Sequence, residues 1–286
     1  MELSNKEFTE LCKHIYKLCG LNIKDKKHYL VLQRLEPLAV SEGNGSFKGL
    51  IEKLSSNAGP QLKDLVIEAI TTNETSFFRD EHPFEAFREI VLPQLAEMAK
   101  HRKHPGHHRK GSKINIWSAA SSTGQEPYSI AMLIHEFLGS KGKGLSAEDF
   151  EIIATDISPK VLSKAIAGSY TDSEIKRGLS VERRDRFFRK EGHHWVINDS
   201  LRTMIDFKRI NLAEQFTRLG GVDVIFCRNV LIYFDEETKG RILSQFSQML
   251  SESGFLFLGA CENVGTLPKK FKKVAYKESV VHQIVG

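Results

Sequence analysis

The sequence predicts a chain in two parts: a small all-helical domain, then a larger α/β domain built on a mainly parallel sheet. Three observations carry this. Apolar residues recur at helical spacing through residues 1–70, with no strand of any strength. From Ile114 onward, short apolar runs alternate with helical patterns, as in parallel strand–helix–strand units. Residues 172–200 interrupt that alternation with a charged helix and a short strand after a turn, which reads as a small antiparallel insertion. The expected division is a helical domain over 1–75 and an α/β domain over 76–286.

The first helix is carried by Phe8, Leu11, Cys12, Ile15, Tyr16, Leu18 and Cys19, with Gly20 as its stop. Tyr29–Leu38 is a second helix, broken by Gly43-Asn44-Gly45, and Phe47–Leu54 and Leu62–Ile70 are two more. In the second part, Ile114–Trp117, Phe150–Thr155, Thr203–Ile210, Val222–Cys227 and Gly254–Gly259 read as strands, and the tail from Phe271 to Ile284 as one or two more. Helices are expected over Pro127–Leu138, from Pro159 to about Ala167 with Ser158 as N-cap, and over Glu236–Leu250. Within the insertion, Ser180–Phe188 is the charged helix and Trp195–Ile197 the strand, after a turn at Glu191-Gly192.

Composition narrows the class. With 286 residues, 41% apolar and 27% charged, the chain has material for a core and is not disordered. Its longest apolar runs, such as Phe255–Cys261, fall far short of the ~20 residues that span a bilayer. The N-terminus carries acids and no apolar core, so no signal peptide is expected. Four cysteines without a Cys-x-x-Cys pair or disulfide framework fit a reducing cytoplasm. The net charge of +5 argues weakly for an acidic partner, and much of it sits in the acid-free stretch Lys100–Lys113. His101, His104, His107 and His108 in that stretch have ligand-like spacings. Pro105-Gly106 breaks any helix there and no acid or Cys joins them, so no metal is expected.

Ligands of open α/β sheets lie beyond the carboxyl ends of the strands. After the first strand comes Ser118–Tyr128, small residues leading to a helix N-terminus; it is neither Gly-x-Gly-x-x-Gly nor a Walker loop. Phosphates thus lack their usual cradle, and Glu126 suits a cation; a generic tight turn is the plainer alternative. Asp156, after the second strand, is placed to accept hydrogen bonds from ribose hydroxyls or to cap a helix, though Ser158 already supplies a cap. Asn211-Leu212 and Arg228-Asn229 follow the third and fourth strands; Asn suits an adenine edge, and Leu212 is either its packing face or plain core. A ligand with ribose and adenine but no phosphate fits, and S-adenosylmethionine (SAM) is such a ligand.

The segments Thr71–Asp80, Trp117–Tyr128, Ala154–Ile157, Ile225–Phe234 and Gly254–Glu262 together resemble the CheR-type chemotaxis-receptor glutamate O-methyltransferases, over nearly the whole chain. That resemblance implies a Rossmann-like SAM-dependent methyltransferase domain with a small antiparallel insertion, preceded by an all-α domain. It implies that Asn73, Thr75 and Arg79 reach the methionine part of SAM, that Glu126 and Asp156 are acidic cofactor contacts, and that Asn211, Leu212, Arg228 and Asn229 form the adenine side. Tyr233 matches a family tyrosine near the transferred methyl, and Arg79 and Tyr233 are the expected catalytic pair. In some relatives the insertion docks a receptor's C-terminal peptide; the tight turn at Lys190–His193 argues against such a tether here.

The implied reaction gives glutamyl methyl esters on membrane chemoreceptors, with S-adenosylhomocysteine (SAH) as coproduct. A glutamate, with a pKa of about 4.3, is already ionised at neutral pH and needs no general base. The acidic helical bundle of a receptor would be met by Lys24, Lys26, Lys27 and Arg34, on or near the second helix, unless these form an ordinary solvated face. A cytoplasmic monomer that neither inserts into membranes nor binds nucleic acid is expected. Two other classes compete with this reading. A nucleic-acid methyltransferase is favoured by the basic stretch, but Arg228-Asn229-Val230-Leu231 lacks the prolines of base-modifying enzymes. A non-catalytic SAM-responsive signalling protein is opposed by the intact set of polar residues after the strands.

Overall fold

The structure is a computed structural model, and it describes residues 1–56, 58–103, 113–216, 219–262 and 271–285. Four helices open the chain: α1 (Asn5–Cys19), α2 (His28–Ser41), α3 (Phe47–Ser55) and α4 (Pro60–Ile70). Ser4 starts α1 with a capping box, its hydroxyl accepting the Glu7 N–H while Glu7 accepts the Ser4 N–H (3.0 Å). Gly20 ends it in the left-handed region (φ +73°). Phe8, Leu11, Ile15 and Cys19 form one buried stripe, packed on Val31, Leu35, Leu50, Val66 and Ile70 in a core of their own.

The run from His82 to Lys103, which the sequence pattern did not flag, is helical throughout: α5 (His82–Ala86), a widened turn over Phe87–Val91 in which the Leu92 N–H bonds to Phe87 O, and α6 (Leu92–Lys103). Pro83 and Pro93 read as breakers. Pro83 falls in the first turn, where no donor is needed, and Pro93 lies two residues beyond the widened turn. The cationic stretch therefore begins as the last turn of α6. Lys100 pairs with Glu97, Arg102 with Asp223 and Lys103 with Asp149, so these charges are spent within the fold. His104, His107 and His108 lie outside the described residues.

The main sheet has seven strands: β1 (Ile114–Ala119), β2 (Phe150–Asp156), β6 (Ile205–Arg209), β7 (Val222–Cys227), β8 (Leu250–Leu258), β9 (Phe271–Tyr276) and β10 (Ser279–Ile284), in the order β6-β2-β1-β7-β8-β10-β9. The first five in that order are parallel; β10 pairs antiparallel with both β8 and β9. One face is covered by the α5–α6 run and α7 (Gln125–Ser140), around Phe87, Phe226 and Phe257, whose last two rings stack at 4.3 Å. The other face is covered by α12 (Glu236–Met249), around Trp117, Ile225 and Phe246. α8 (Pro159–Ala167) is capped by the Ser158 hydroxyl, as expected.

The inserted sheet is real and antiparallel but has three strands, in the order β3-β5-β4: β3 (Ser169–Thr171), β4 (Phe188–Glu191) and β5 (His194–Ile197). It begins before residue 172, because the three residues of β3 are too few to show a periodicity. Three short helices flank it: α9 (Asp172–Lys176), α10 (Val181–Phe187) and α11 (Asp199–Arg202). The chain runs from β1 outward to β2 and β6 on one side and from β7 to β8 on the other. The strand order therefore reverses between β1 and β7, and a cleft opens over their carboxyl ends.

Candidate active site

After β1 the backbone turns sharply into α7. Ala120 (φ +56°), Ser122 (φ +50°) and Gly124 (φ +94°) all lie in the left-handed region. Contacts with β2 hold the turn: the Ser121 N–H donates to Thr155 O (2.8 Å) and the Ser122 N–H to Asp156 Oδ2 (2.9 Å). At Gly124 a Cβ would come within 2.9 Å of the Ala165 Cβ, so both conformation and space require glycine. Asp156 also accepts the Ser158 N–H at Oδ1 (3.0 Å). Burial pushes its carboxyl above the ordinary 3.8, against the pull of these N–H groups. Asp156 thus braces two turns and also lines the cleft, so the capping and the ligand-facing readings are compatible.

Arg228, the first residue beyond β7, is the hub of the site. Its buried guanidinium donates to Glu126 Oε2 (3.0 Å), Arg79 O (2.7 Å) and Asp80 Oδ2 (2.8 Å). The other Glu126 oxygen accepts the Ser118 hydroxyl (2.8 Å). Burial raises the Glu126 carboxyl above its ordinary 4.5, opposed by Arg228 and Ser118 and reinforced by the charge of Glu262. Phe78 (φ +48°), Asp80 (φ +66°) and Glu81 (φ +40°) are all left-handed without being glycine. Each such residue costs of order 1–3 kcal/mol. Arg228 holds this segment from one side and the Ser129 hydroxyl, which accepts the Phe78 N–H (3.0 Å), from the other. Arg79 projects from it and donates to Glu74 O (2.8 Å).

The cleft is lined from both parts of the chain. Asn73, Thr75, Arg79, Glu126, Asp156, Asn211, Leu212, Arg228, Asn229 and Tyr233 all line it, so every residue expected to touch the cofactor or reacting groups is brought together. Three are placed differently from their expected use: Arg228, expected on the adenine side, turns its guanidinium to Glu126, Arg79 O and Asp80, and Asn211 and Glu126 are also engaged. The Asn211 amide donates to Leu18 O and Glu214 Oε1 (both 3.0 Å), and its carbonyl accepts the Ala213 N–H (3.1 Å). It thereby ties α1 to the sheet. Each Glu126 oxygen likewise accepts one bond, from Ser118 and from Arg228. Leu212 is both wall and core.

Cys19, Leu21 and Ile70 also line the cleft from the helical part without having been expected there, as do Thr71 and Thr72, which the Thr71–Asp80 segment includes but to which no role was assigned. Nothing local marks residues whose role depends on a contact between distant segments. Such contacts include the Asn22 N–H on Tyr233 O (2.9 Å) and the Arg209–Asp64 ion pair. Burial pushes the Cys19 thiol up to about 11, so it stays protonated.

Lys24, Lys26 and Lys27 are exposed and lie outside the cleft lining. Arg34 departs from the expected solvent-facing role. Its guanidinium turns inward, donating to Ile70 O (2.7 Å), Thr71 O (3.0 Å) and the Thr72 hydroxyl (3.2 Å). Arg34 therefore caps α4 at the segment that enters the cleft.

Three carboxylates (Glu74, Glu126, Asp156) and two guanidinium groups (Arg79, Arg228) line the cleft, an excess of one negative charge. SAM, with a sulfonium and an ammonium against one carboxylate, is its complement. Ser121 Oγ is buried without a hydrogen-bond partner in this wall and would find one in a polar ligand. Leu212, Ile210, Ile157 and Val230 supply apolar surface suited to a purine ring. The residues present therefore fit SAM. No metal-ligating group of three or more His, Cys, Asp or Glu occurs among the described residues, nor does any helix long and apolar enough to cross a membrane.

Comparison with known proteins agrees with this geometry. Residues 6–71 match the CheR methyltransferase all-alpha domain, and residues 73–280 match the CheR methyltransferase SAM binding domain. Chemotaxis protein methyltransferase 1 of Pseudomonas aeruginosa is 37% identical over 284 residues, covering 99% of each chain. Chemotaxis protein methyltransferase 1 of Vibrio cholerae is 38% identical over 283 residues, covering 99% of this chain and 98% of that one.

Proposed function

The chain belongs to the CheR methyltransferase family, a SAM-dependent methyltransferase of chemotaxis, and on that premise we propose that it esterifies glutamate side chains in the cytoplasmic helical region of membrane chemoreceptors. The observation that carries the choice of nucleophile is the character of the cleft wall: among the described residues that line it there is no Lys or His, and its carboxylates already accept hydrogen bonds or pair with arginine. Such a wall offers no free base to deprotonate an amine or hydroxyl. A glutamate arrives ionised and needs none.

SAM, when bound, supplies an electrophilic methyl on sulfur. The chain's own contribution is placement and exclusion of water. Asn73, Thr75 and Arg79 would hold the amino-acid end of SAM, Asp156 the ribose, and Leu212 and Asn229 the adenine side, with Arg228 bracing the Arg79–Asp80 segment through its buried guanidinium. Asn211 would serve that side through its backbone, its side chain being engaged. Tyr233 would orient the incoming carboxylate. Glu126 sets the charge of the wall through Arg228. No metal takes part in this reading, and the protein acts as a cytoplasmic monomer. The helical domain, residues 1–75, would meet the receptor through Lys24, Lys26 and Lys27, with Arg34 supporting the segment behind them.

The test is transfer of label from methyl-labelled SAM to receptor-containing membranes, followed by mild base. Release of labelled methanol is expected, because carboxyl esters hydrolyse; label that survives base marks N-methylation and overturns the reading. Charge reversal of Lys24, Lys26 and Lys27 together should slow receptor methylation and leave SAH affinity unchanged. Equal methylation rates would remove these lysines from the substrate face.

A further inference from the structure

The turn that carries Asn229 and Tyr233 closes on itself at its end, the Tyr233 N–H donating to Val230 O and the Phe234 N–H to Leu231 O (both 3.1 Å), but its start is held from elsewhere. Asn229 sits in the left-handed region (φ +60°) and is followed by a single tight turn over Leu231–Tyr233. The first N–H groups of such a turn have no partner within it. Here they are taken from a distance: Glu262, beyond the end of β8, accepts the Val230 N–H (2.8 Å) and the Leu231 N–H (2.7 Å) at Oε1. Its Oε2 accepts the Gly259 N–H (2.6 Å). One carboxylate thus fastens the loop after β7 to the loop after β8 with three charge-assisted bonds.

The two loops are in close contact at this point. A Cβ on Gly259 would fall 2.8 Å from Glu262 Oε2, 2.9 Å from Asn229 N and 3.1 Å from Asn229 Nδ2. Glu262 itself does not line the cleft, whereas Asn229, Val230 and Tyr233 do. We propose that Glu262 is a positioning residue for methyl transfer, acting through the turn that sets Tyr233 at the cleft. The proposal rests on the methyltransferase reading above.

The test compares Glu262→Gln and Gly259→Ala with wild type in the full chain. Gln replaces one acceptor oxygen with a donor that faces N–H groups. The added methyl of Gly259→Ala pushes the same loop from the other side. Both should lower kcat for receptor membranes about 10- to 100-fold, the loss expected for sub-ångström to ångström misplacement. SAH affinity should weaken by less than about fivefold, because most cofactor contacts come from elsewhere. In a Tyr233→Phe background the same substitutions should cost little more, since the group they position is already gone.

The spectroscopic readout is the Tyr233 resonance in ring-labelled protein, assigned among six tyrosines by its loss in Tyr233→Phe. It should shift in both variants, and this holds whether or not receptors are methylated. Unchanged kcat in both variants, additive losses in the Tyr233→Phe background, or an unmoved Tyr233 resonance would each overturn the role of Glu262. A wild type that transfers no base-labile label would overturn the parent reading instead, and the resonance would then decide this one.

Discussion

At the scale of single residues, the site is organised by Arg228 and Glu126, and their chemistry fixes what removing either must do. Arg228 is buried and gives its fork to one buried carboxylate, one main-chain oxygen and one half-exposed carboxylate. Replacing it with leucine leaves Glu126 buried without its counter-charge. Breaking a buried pair from one side costs about 3–5 kcal/mol, so Arg228→Leu should lower unfolding stability by that order in urea titrations at pH 7.5. The pH dependence has a definite sign. In the variant the Glu126 carboxyl, already raised by burial, loses the opposing pull of Arg228 and rises further. The folded state then binds more protons than the unfolded one, so stability is lost as pH increases through the window above 4.5. The deficit should accordingly be smaller at pH 4.5 than at pH 7.5. A pH-independent deficit would mean that Glu126 is not the source of the cost.

At the scale of elements, α12 shows how a helix start is set beside the site. Asp235, two residues beyond the Tyr233 turn, accepts the Thr238 N–H (2.8 Å) as N-cap. That bond, the largest influence on it, holds the carboxyl below its ordinary 3.8. Asp235→Ala should therefore cost about 1 kcal/mol at neutral pH. Because the depressed pKa stabilises the fold above 3.8 and loses that contribution as pH falls through the folded value, the difference from wild type should shrink at pH 3.

Local signals made the elements legible. Apolar spacing with the Gly20 stop marks α1, and Ser158 before Pro159 marks α8, and both helices lie where the sequence places them; the caps at Ser4 and Asp235 add to this only once the structure shows them. The His82–Lys103 run was hidden by two prolines, one in the first turn of α5 and one just after a widened turn. β3 was hidden by its length. For the cleft, residues at strand ends could be read from the sequence because a parallel sheet aims its carboxyl ends at one place. The inward turn of Arg34 and the engagement of Asn211 and Glu126 could not, since each depends on a partner 36, 193 or 102 positions away in the chain.

At the scale of the whole molecule, the cleft exists only because the helical part is seated on the sheet part, and one residue at that seam tests the dependence. Gly20 ends α1 with φ +73°, and a Cβ there would lie 2.6 Å from the Ala213 Cβ and 3.2 Å from the Phe234 ring. Gly20 does not line the cleft, but its neighbours Cys19 and Leu21 do. Valine at this position must either hold a left-handed conformation, at about 1–2 kcal/mol, or push α1 away from Ala213 and with it the wall of the cleft. If strain of this size is relieved by displacing that wall, the variant should bind SAH about tenfold more weakly, since 1.4 kcal/mol is a factor of ten, although no contact group has changed. The difference is readable as linked stability. SAH at one hundred times the wild-type Kd should stabilise wild type by about 2.7 kcal/mol and Gly20→Val by only about 1.4 kcal/mol. Equal gains would mean that the helical part can shift without disturbing the site, and that the residues it contributes, Cys19, Leu21 and Ile70–Ser76, are bystanders to cofactor binding.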